Sequence, residues 1–297
     1  MRNLLLLVAI CALLAVAGLV SAERRSFPYW QTRMALAWLA GKPPDSVTRI
    51  TDTGGRTAAT PPAGARVGVF IAYGQSNAAN FGERGYRVRG AVYNFLDGAT
   101  YVYEDPALGA NGTGGSVWGR VGDGLIETGQ YDAVIFATTG FASKTIAELA
   151  DGHYYDYFKR QYAGLAAARG HVDGILFHQG EENHRDYSEA DYAADFDRFL
   201  ARLRADGIDA PVYLSQVSYC ANSVDAGLIA VQDRIIRIRD GVVRGPNTDL
   251  LTDDRYRRDG CHFSAEGLAA FAAQWVEAIR ARSESQALRG QPVYPRH

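Results

Sequence analysis

The sequence predicts an α/β protein, a three-layer αβα sandwich on a doubly wound, mainly parallel sheet. Three observations carry this. Apolar runs rich in β-branched and aromatic residues recur at 67–72, 131–139, 172–177 and 211–217. They are too continuous for strands with one wet face, and suit strands buried on both faces. Between them lie segments with helical apolar spacing, as at Tyr192, Phe196, Phe199, Leu200 and Leu203. Strand and helix signals then alternate to the end, which is the signature of parallel crossovers.

Taken in order, residues 1–22 stand outside the fold. Arg2 precedes an apolar run over 4–20, and Val20-Ser21-Ala22 suits a small-residue cleavage site. A secretory signal peptide is the first reading. An uncleaved membrane anchor is the second, because about 17 to 25 apolar residues span a bilayer. Residues 23–65 form a lead-in, with a short helix over 29–39, a stop at Pro43-Pro44 and a loose Thr/Gly/Ala/Pro-rich connection over 51–65.

The strand at 67–72 ends in Tyr73-Gly74-Gln75-Ser76-Asn77. Gly74 permits a sharp turn. Ser76 then lies past the strand's carboxyl end, where open α/β sheets bind ligands. The plainer reading is a βα turn with Ser76 or Asn77 as a helix cap. Further on, 91–96 and 100–103 form a strand region with a turn at Asp97-Gly98. Asn111-Gly112-Thr113 matches a glycosylation acceptor. Helices are expected over 118–128, 154–169 (stopped by Gly170), 187–205, 226–239 and 264–282, the last capped by Ser264. One domain, 66–282, follows, with a tail over 283–297.

The 297 residues are 47% hydrophobic and 22% charged, as in ordinary globular proteins. A net charge of −2 lacks the basic footprint of a nucleic-acid partner. Export to the periplasm or the extracellular space is expected, with membrane contact only through 1–22 if that segment stays. Cys11 lies in the leader, so the exported part holds Cys220 and Cys261, expected to be bridged in an oxidising compartment.

Two further segments bear on chemistry. His178-Gln179-Gly180-Glu181 follows a later strand, and Asp259-Gly260-Cys261-His262 precedes the last helix. In a loop, Asp259 can accept from one ring nitrogen of His262, leaving the other to take a proton from a serine. The plainer reading is a capping loop with a surface histidine. A Cys220–Cys261 bridge would tie this loop to the sheet. Donors for an oxyanion are sought in the N–H of Ser76, a backbone N–H of Gly114-Gly115 and the amide of Gln179.

These segments resemble the SGNH hydrolases, and more narrowly the sialate O-acetylesterase and acetylxylan esterase type of carbohydrate esterase. Gly74-Gln75-Ser76-Asn77 is similar to that subgroup's nucleophile block, His178-Gln179-Gly180-Glu181 to its HQGE block, and Asp259-Gly260-Cys261-His262 to its closing DxxH block. The resemblance implies a flavodoxin-like SGNH fold over roughly 67–275. It implies Ser76 as nucleophile, His262 as base and Asp259 as the orienting acid. Gln179 and a second-block glycine would join the Ser76 N–H as oxyanion donors. Gly112, Gly114, Gly115 and Gly119 lie in range, and Gly115 is taken. Asn77 and Glu181 are supporting residues, Glu181 organising its loop or sharing in the orientation of His262. No metal or organic cofactor is implied. The expected partner is an acetylated carbohydrate, and Lys144 is a candidate contact to an acidic sugar. The expected activity is carbohydrate O-acetylesterase. The alternatives are a glycan O-acetyltransferase with the same site, or an inactive carbohydrate-binding relative.

Overall fold

Strand β1 (Val67–Gly74) is buried along its whole length. Its side chains alternate between two cores, because successive residues of a strand point to opposite faces. Val69, Ile71 and Tyr73 enter one core, and Phe70 and Ala72 the other. An apolar run without polar alternation therefore means a strand covered twice.

In this computed structural model the described residues are 49–83, 85–184 and 188–288, backbone only at 286–288. The chain divides into two units, Met1–Thr48 and Arg49–His297, and all described residues lie in the second. The expected leader, the lead-in helix over 29–39 and the end of the tail lie outside them. Among the described residues, no helix is long and apolar enough to cross a membrane.

A short 3₁₀ turn, Ser76–Ala78, follows β1. Strands β2 (Val92–Leu96) and β3 (Ala99–Val102) form an antiparallel hairpin. Then come α1 (Trp118–Glu127), β4 (Ala133–Gly140), α2 (Ile146–Leu149), α3 (Gly152–Arg169), β5 (Gly174–His178), α4 (Glu189–Ala205), β6 (Val212–Gln216), α5 (Ala226–Ile238), β7 (Val242–Asn247) and α6 (Ala265–Leu288). Among the described residues, the seven strands form one sheet in the order β3-β2-β4-β1-β5-β6-β7. All neighbours except β2 and β3 run parallel.

One core lies between the sheet and α2, α3, α4 and α5, built on Phe158, Phe177, Phe196 and Phe199. The other lies under α1 and α6, where Trp118 and Trp275 are fully buried with ring centroids 5.6 Å apart. The expected αβα sandwich is what the chain adopts. Because β4 and β5 flank β1 on opposite sides, the chain changes direction across β1. A crevice opens at such a switch point, outside the carboxyl ends of the strands.

Three expectations change in detail. Strand β7, with Arg244, Gly245 and Pro246, gave no strand signal. Among the described residues it is an edge strand paired only with β6, so a proline without an N–H breaks no ladder on that free side. The short α2 was also unforeseen, and it is held by a capping box between Thr145 and Glu148. Helix α6 continues to Leu288, beyond the expected end at Arg282. The connection over 51–65 holds no regular element. Its backbone nevertheless borders the β3 edge, Val102 N–H donating to Thr57 O at 2.8 Å and Ala59 N–H to Thr100 O at 3.1 Å.

Candidate active site

The end of β1 is built by close approach. Gly74 has φ +142°, and a Cβ there would lie 2.0 Å from the carbonyl oxygen of His178. Only glycine fits. The Gln75 N–H bonds the same carbonyl at 3.0 Å, after which the chain turns into Ser76–Ala78. Ser76 is the first residue of that turn, so its N–H has no acceptor within it.

The second part comes from the other end of the sequence. Arg257 and Phe263 pair as an antiparallel bridge, which makes 257–263 a tight excursion just before α6. Asp259 and His262 stand on it. His262 Nδ1 lies 2.8 Å from Asp259 Oδ2, and His262 Nε2 lies 3.0 Å from Ser76 Oγ. Asp259 Oδ1 also accepts from the N–H groups of Cys261 and His262 at 3.1 and 2.7 Å. Burial pushes the Asp259 carboxyl up, but its bonds to the His262 ring and to these N–H groups outweigh that and hold it below its ordinary value. With Nδ1–H directed at Asp259, Nε2 presents a lone pair to the Ser76 hydroxyl. Phe81 stacks on the imidazole, centroids 5.4 Å apart.

The excursion is tied down from several sides. Cys261 is disulfide-bonded to Cys220, just after β6. The Asn222 N–H donates to Gly260 O at 3.2 Å. The Ser264 hydroxyl accepts from the Gly267 N–H at 3.0 Å and so caps α6.

The His178–Glu181 turn forms the floor. Gln75 Oε1 accepts from the Gly180 and Glu182 N–H groups at 3.3 and 3.0 Å, which stitches this turn to the one carrying Ser76. Asn77 Nδ2 donates to Glu181 Oε1 at 2.7 Å, and His178 Nε2 lies 3.1 Å from the same oxygen. Burial would raise the Glu181 carboxyl, but the His178 ring and the Asn77 amide prevail and hold it at about 2. Glu181 is thus fixed to Asn77 and His178, and no hydrogen bond joins it to His262 among the described residues.

Two expected oxyanion donors are otherwise engaged. The Gly115 N–H donates to Gly82 O at 2.8 Å and the Gly114 N–H to Asn80 O at 2.7 Å, in a ladder that holds 80–83 against 111–115. The Gln179 amide donates to Lys144 O at 3.1 Å and to Asn183 Oδ1. Its two hydrogens therefore brace neighbouring loops. Lys144 does not present a free cation to a sugar. Its ammonium bonds Glu148 at 2.9 Å and lies 5.0 Å from the Tyr154 ring centroid. Asn111, the expected glycosylation acceptor, is buried, and its Oδ1 accepts from the Ala142 N–H at 3.0 Å. Tyr73, Trp118, Phe141 and Tyr155 are core residues.

Gln75, Phe81 and Arg257 escaped sequence reading. Gln75 lay inside a motif already noticed, and a role for it was there to be asked. Arg257 sits among Arg255 and Arg258 and reads as surface charge until its burial is known. Among the described residues, no three His, Cys, Asp or Glu side chains are placed to hold a metal ion. A groove of about 1150 Å³ between β7 and α6 is lined by none of the residues gathered around Ser76 and His262.

The family described as "Carbohydrate esterase, sialic acid-specific acetylesterase" matches residues 129–281, from before β4 into α6. That span contains Gln179, Glu181, Asp259 and His262, and the fold adds Ser76 from outside it. No curated protein matches the chain. Among solved structures, a protein from Arabidopsis thaliana is similar, with 15% identity, 73% of this chain and 98% of that chain covered, and a TM-score of 0.57. A GDSL-like protein from Parabacteroides merdae has 12% identity, coverage of 74% and 99%, and a TM-score of 0.50. A carbohydrate acetylesterase from Xanthomonas citri has 16% identity, coverage of 72% and 55%, and a TM-score of 0.48. The chain belongs to this carbohydrate esterase family and is a hydrolase that acts on esters.

Proposed function

We propose that the protein is an exported serine esterase that removes O-acetyl groups from a carbohydrate through Ser76, His262 and Asp259. The observation that carries this reading is the 3.0 Å approach of Ser76 Oγ to His262 Nε2, with Asp259 2.8 Å behind the ring. The family description supplies the carbohydrate and the acetyl group. The disulfide and the apolar leader favour export, since such bridges persist in oxidising compartments.

His262 takes the Ser76 proton as Oγ attacks the ester carbonyl. Asp259 keeps the ring oriented and supports the imidazolium. The oxyanion forms beside the Ser76 N–H, which is free to donate at the start of its turn. The sugar hydroxyl leaves with the proton from His262. Water, deprotonated by the same nitrogen, then attacks the acyl-enzyme and releases acetate.

Replacing Ser76 by Ala tests this. Release of p-nitrophenol from p-nitrophenyl acetate should fall by about 10⁴-fold or more, with thermal unfolding unchanged. Substantial turnover by the folded Ser76→Ala protein overturns the assignment. Acetate release from acetylated xylan, O-acetylated sialic acid and acetylated envelope glycans then identifies the sugar.

A further inference from the structure

Arg257 is 5% exposed, yet it forms no ion pair among the described residues. A buried cation is costly unless its donors are satisfied. Here they are satisfied by backbone. Nε donates to Leu251 O at 2.7 Å, Nη2 to Thr248 O at 2.8 Å and Nη1 to Cys261 O at 2.6 Å. The guanidinium carbon lies 3.9 Å from the Phe263 ring centroid and 4.9 Å from that of Tyr219. The planar fork thus joins the stretch after β7 to the excursion carrying Asp259 and His262. Lysine offers no such fork.

One of these bonds bears on the chemistry. The Cys261 carbonyl and the His262 N–H belong to a single peptide plane. On one edge, the carbonyl accepts from Arg257 at 2.6 Å and from Asn77 Nδ2 at 3.4 Å. On the other, the N–H donates to Asp259 Oδ1 at 2.7 Å. A plane held at both edges cannot rotate, and its orientation sets the direction in which the His262 side chain leaves the backbone. We infer that Arg257 is a positioning residue: it locks the Cys261–His262 peptide so that the imidazole meets Ser76. Asn77, on the Ser76 turn itself, shares that carbonyl and sets the two turns in register. The inference rests on the reading of His262 as the base.

The test compares Arg257→Lys, Arg257→Gly and Phe263→Leu with the wild type, using p-nitrophenyl acetate kinetics and circular dichroism. A displacement of about 1 Å at a reacting group costs roughly 10²-fold in rate. In Arg257→Lys, kcat should therefore fall by about 10²-fold, with KM within a few-fold of wild type and the fold retained. Millimolar methylguanidine should restore much of kcat to Arg257→Gly and none to His262→Ala. Phe263→Leu removes the ring under the guanidinium but keeps its acceptors, and should show a smaller loss, about tenfold, whether or not the Arg257 variants fold. Wild-type kcat in folded Arg257→Lys or in Phe263→Leu overturns the inference, as does a loss fully accounted for by the unfolded fraction. An inactive Ser76→Ala beside a fully active Arg257→Lys refutes the positioning role alone. An active Ser76→Ala refutes the esterase site on which it rests.

Discussion

Asn77 and Glu181 meet in a buried hydrogen bond of 2.7 Å across 104 positions of sequence. The bond joins the turn that follows β1 to the turn that follows β5. Burial would raise the Glu181 carboxyl, but the His178 ring and then this Asn77 bond outweigh it and hold it at about 2 against an ordinary value of 4.5.

That depressed value predicts a pH dependence of stability. A carboxyl whose folded value lies below its unfolded one stabilises the fold above the unfolded value. The contribution is lost as pH falls from about 4.5 towards 2. It amounts to something on the order of 3 kcal/mol at neutral pH. Glu181→Gln should lower the urea midpoint at pH 7 and flatten its fall between pH 4.5 and 2. Equal slopes in wild type and variant over that range would refute the assignment.

The Cys220–Cys261 bridge closes a loop with a sequence separation of 41 and ends between Asp259 and His262. Loop entropy puts its worth at about 4 kcal/mol. Replacing both cysteines with alanine should cost up to that much in urea unfolding. It should also lower kcat more than it raises KM, since the excursion loses a tether while the rest of the site stands. Dithiothreitol should reproduce both effects in the wild type and neither in the double variant. An unchanged midpoint and kcat would show that the remaining hydrogen bonds suffice.

Gln179 separates bracing from catalysis. Gln179→Met keeps the approximate shape and removes both donors. It leaves Lys144 O without this bond and Asn183 Oδ1 with only the Ile146 N–H at 3.0 Å. A buried polar group left unpaired costs about 1–3 kcal/mol. The variant should therefore lose stability by that order, with a kcat decrease smaller than the 10²–10³-fold typical of a lost oxyanion donor. A full 10²–10³-fold fall at unchanged stability would return Gln179 to the oxyanion hole.

Several features were legible in the residues. The apolar runs at 67–72 and 131–139 became β1 (Val67–Gly74) and β4 (Ala133–Gly140), strands buried at every position. Gly74 marked the sharp turn, Ser264 the cap of α6, and Cys220 and Cys261 their disulfide. Less was legible at the second edge of the sheet. Strand β7 carries an arginine, a glycine and a proline that an edge tolerates and a central strand does not.

What the sequence determined by itself was the set of buried faces and the short motifs at the strand ends, because periodicity and turn chemistry are local properties. The tertiary structure alone decided which polar groups remain free. It engaged the Gly115 N–H with Gly82, turned the Gln179 amide to Lys144 and Asn183, and paired Lys144 with Glu148. It also drew Arg257 out of a charged run and buried it behind His262. Hydrogen-bond capacity can be read from a residue's type, but how that capacity is used depends on partners that folding brings from distant parts of the chain.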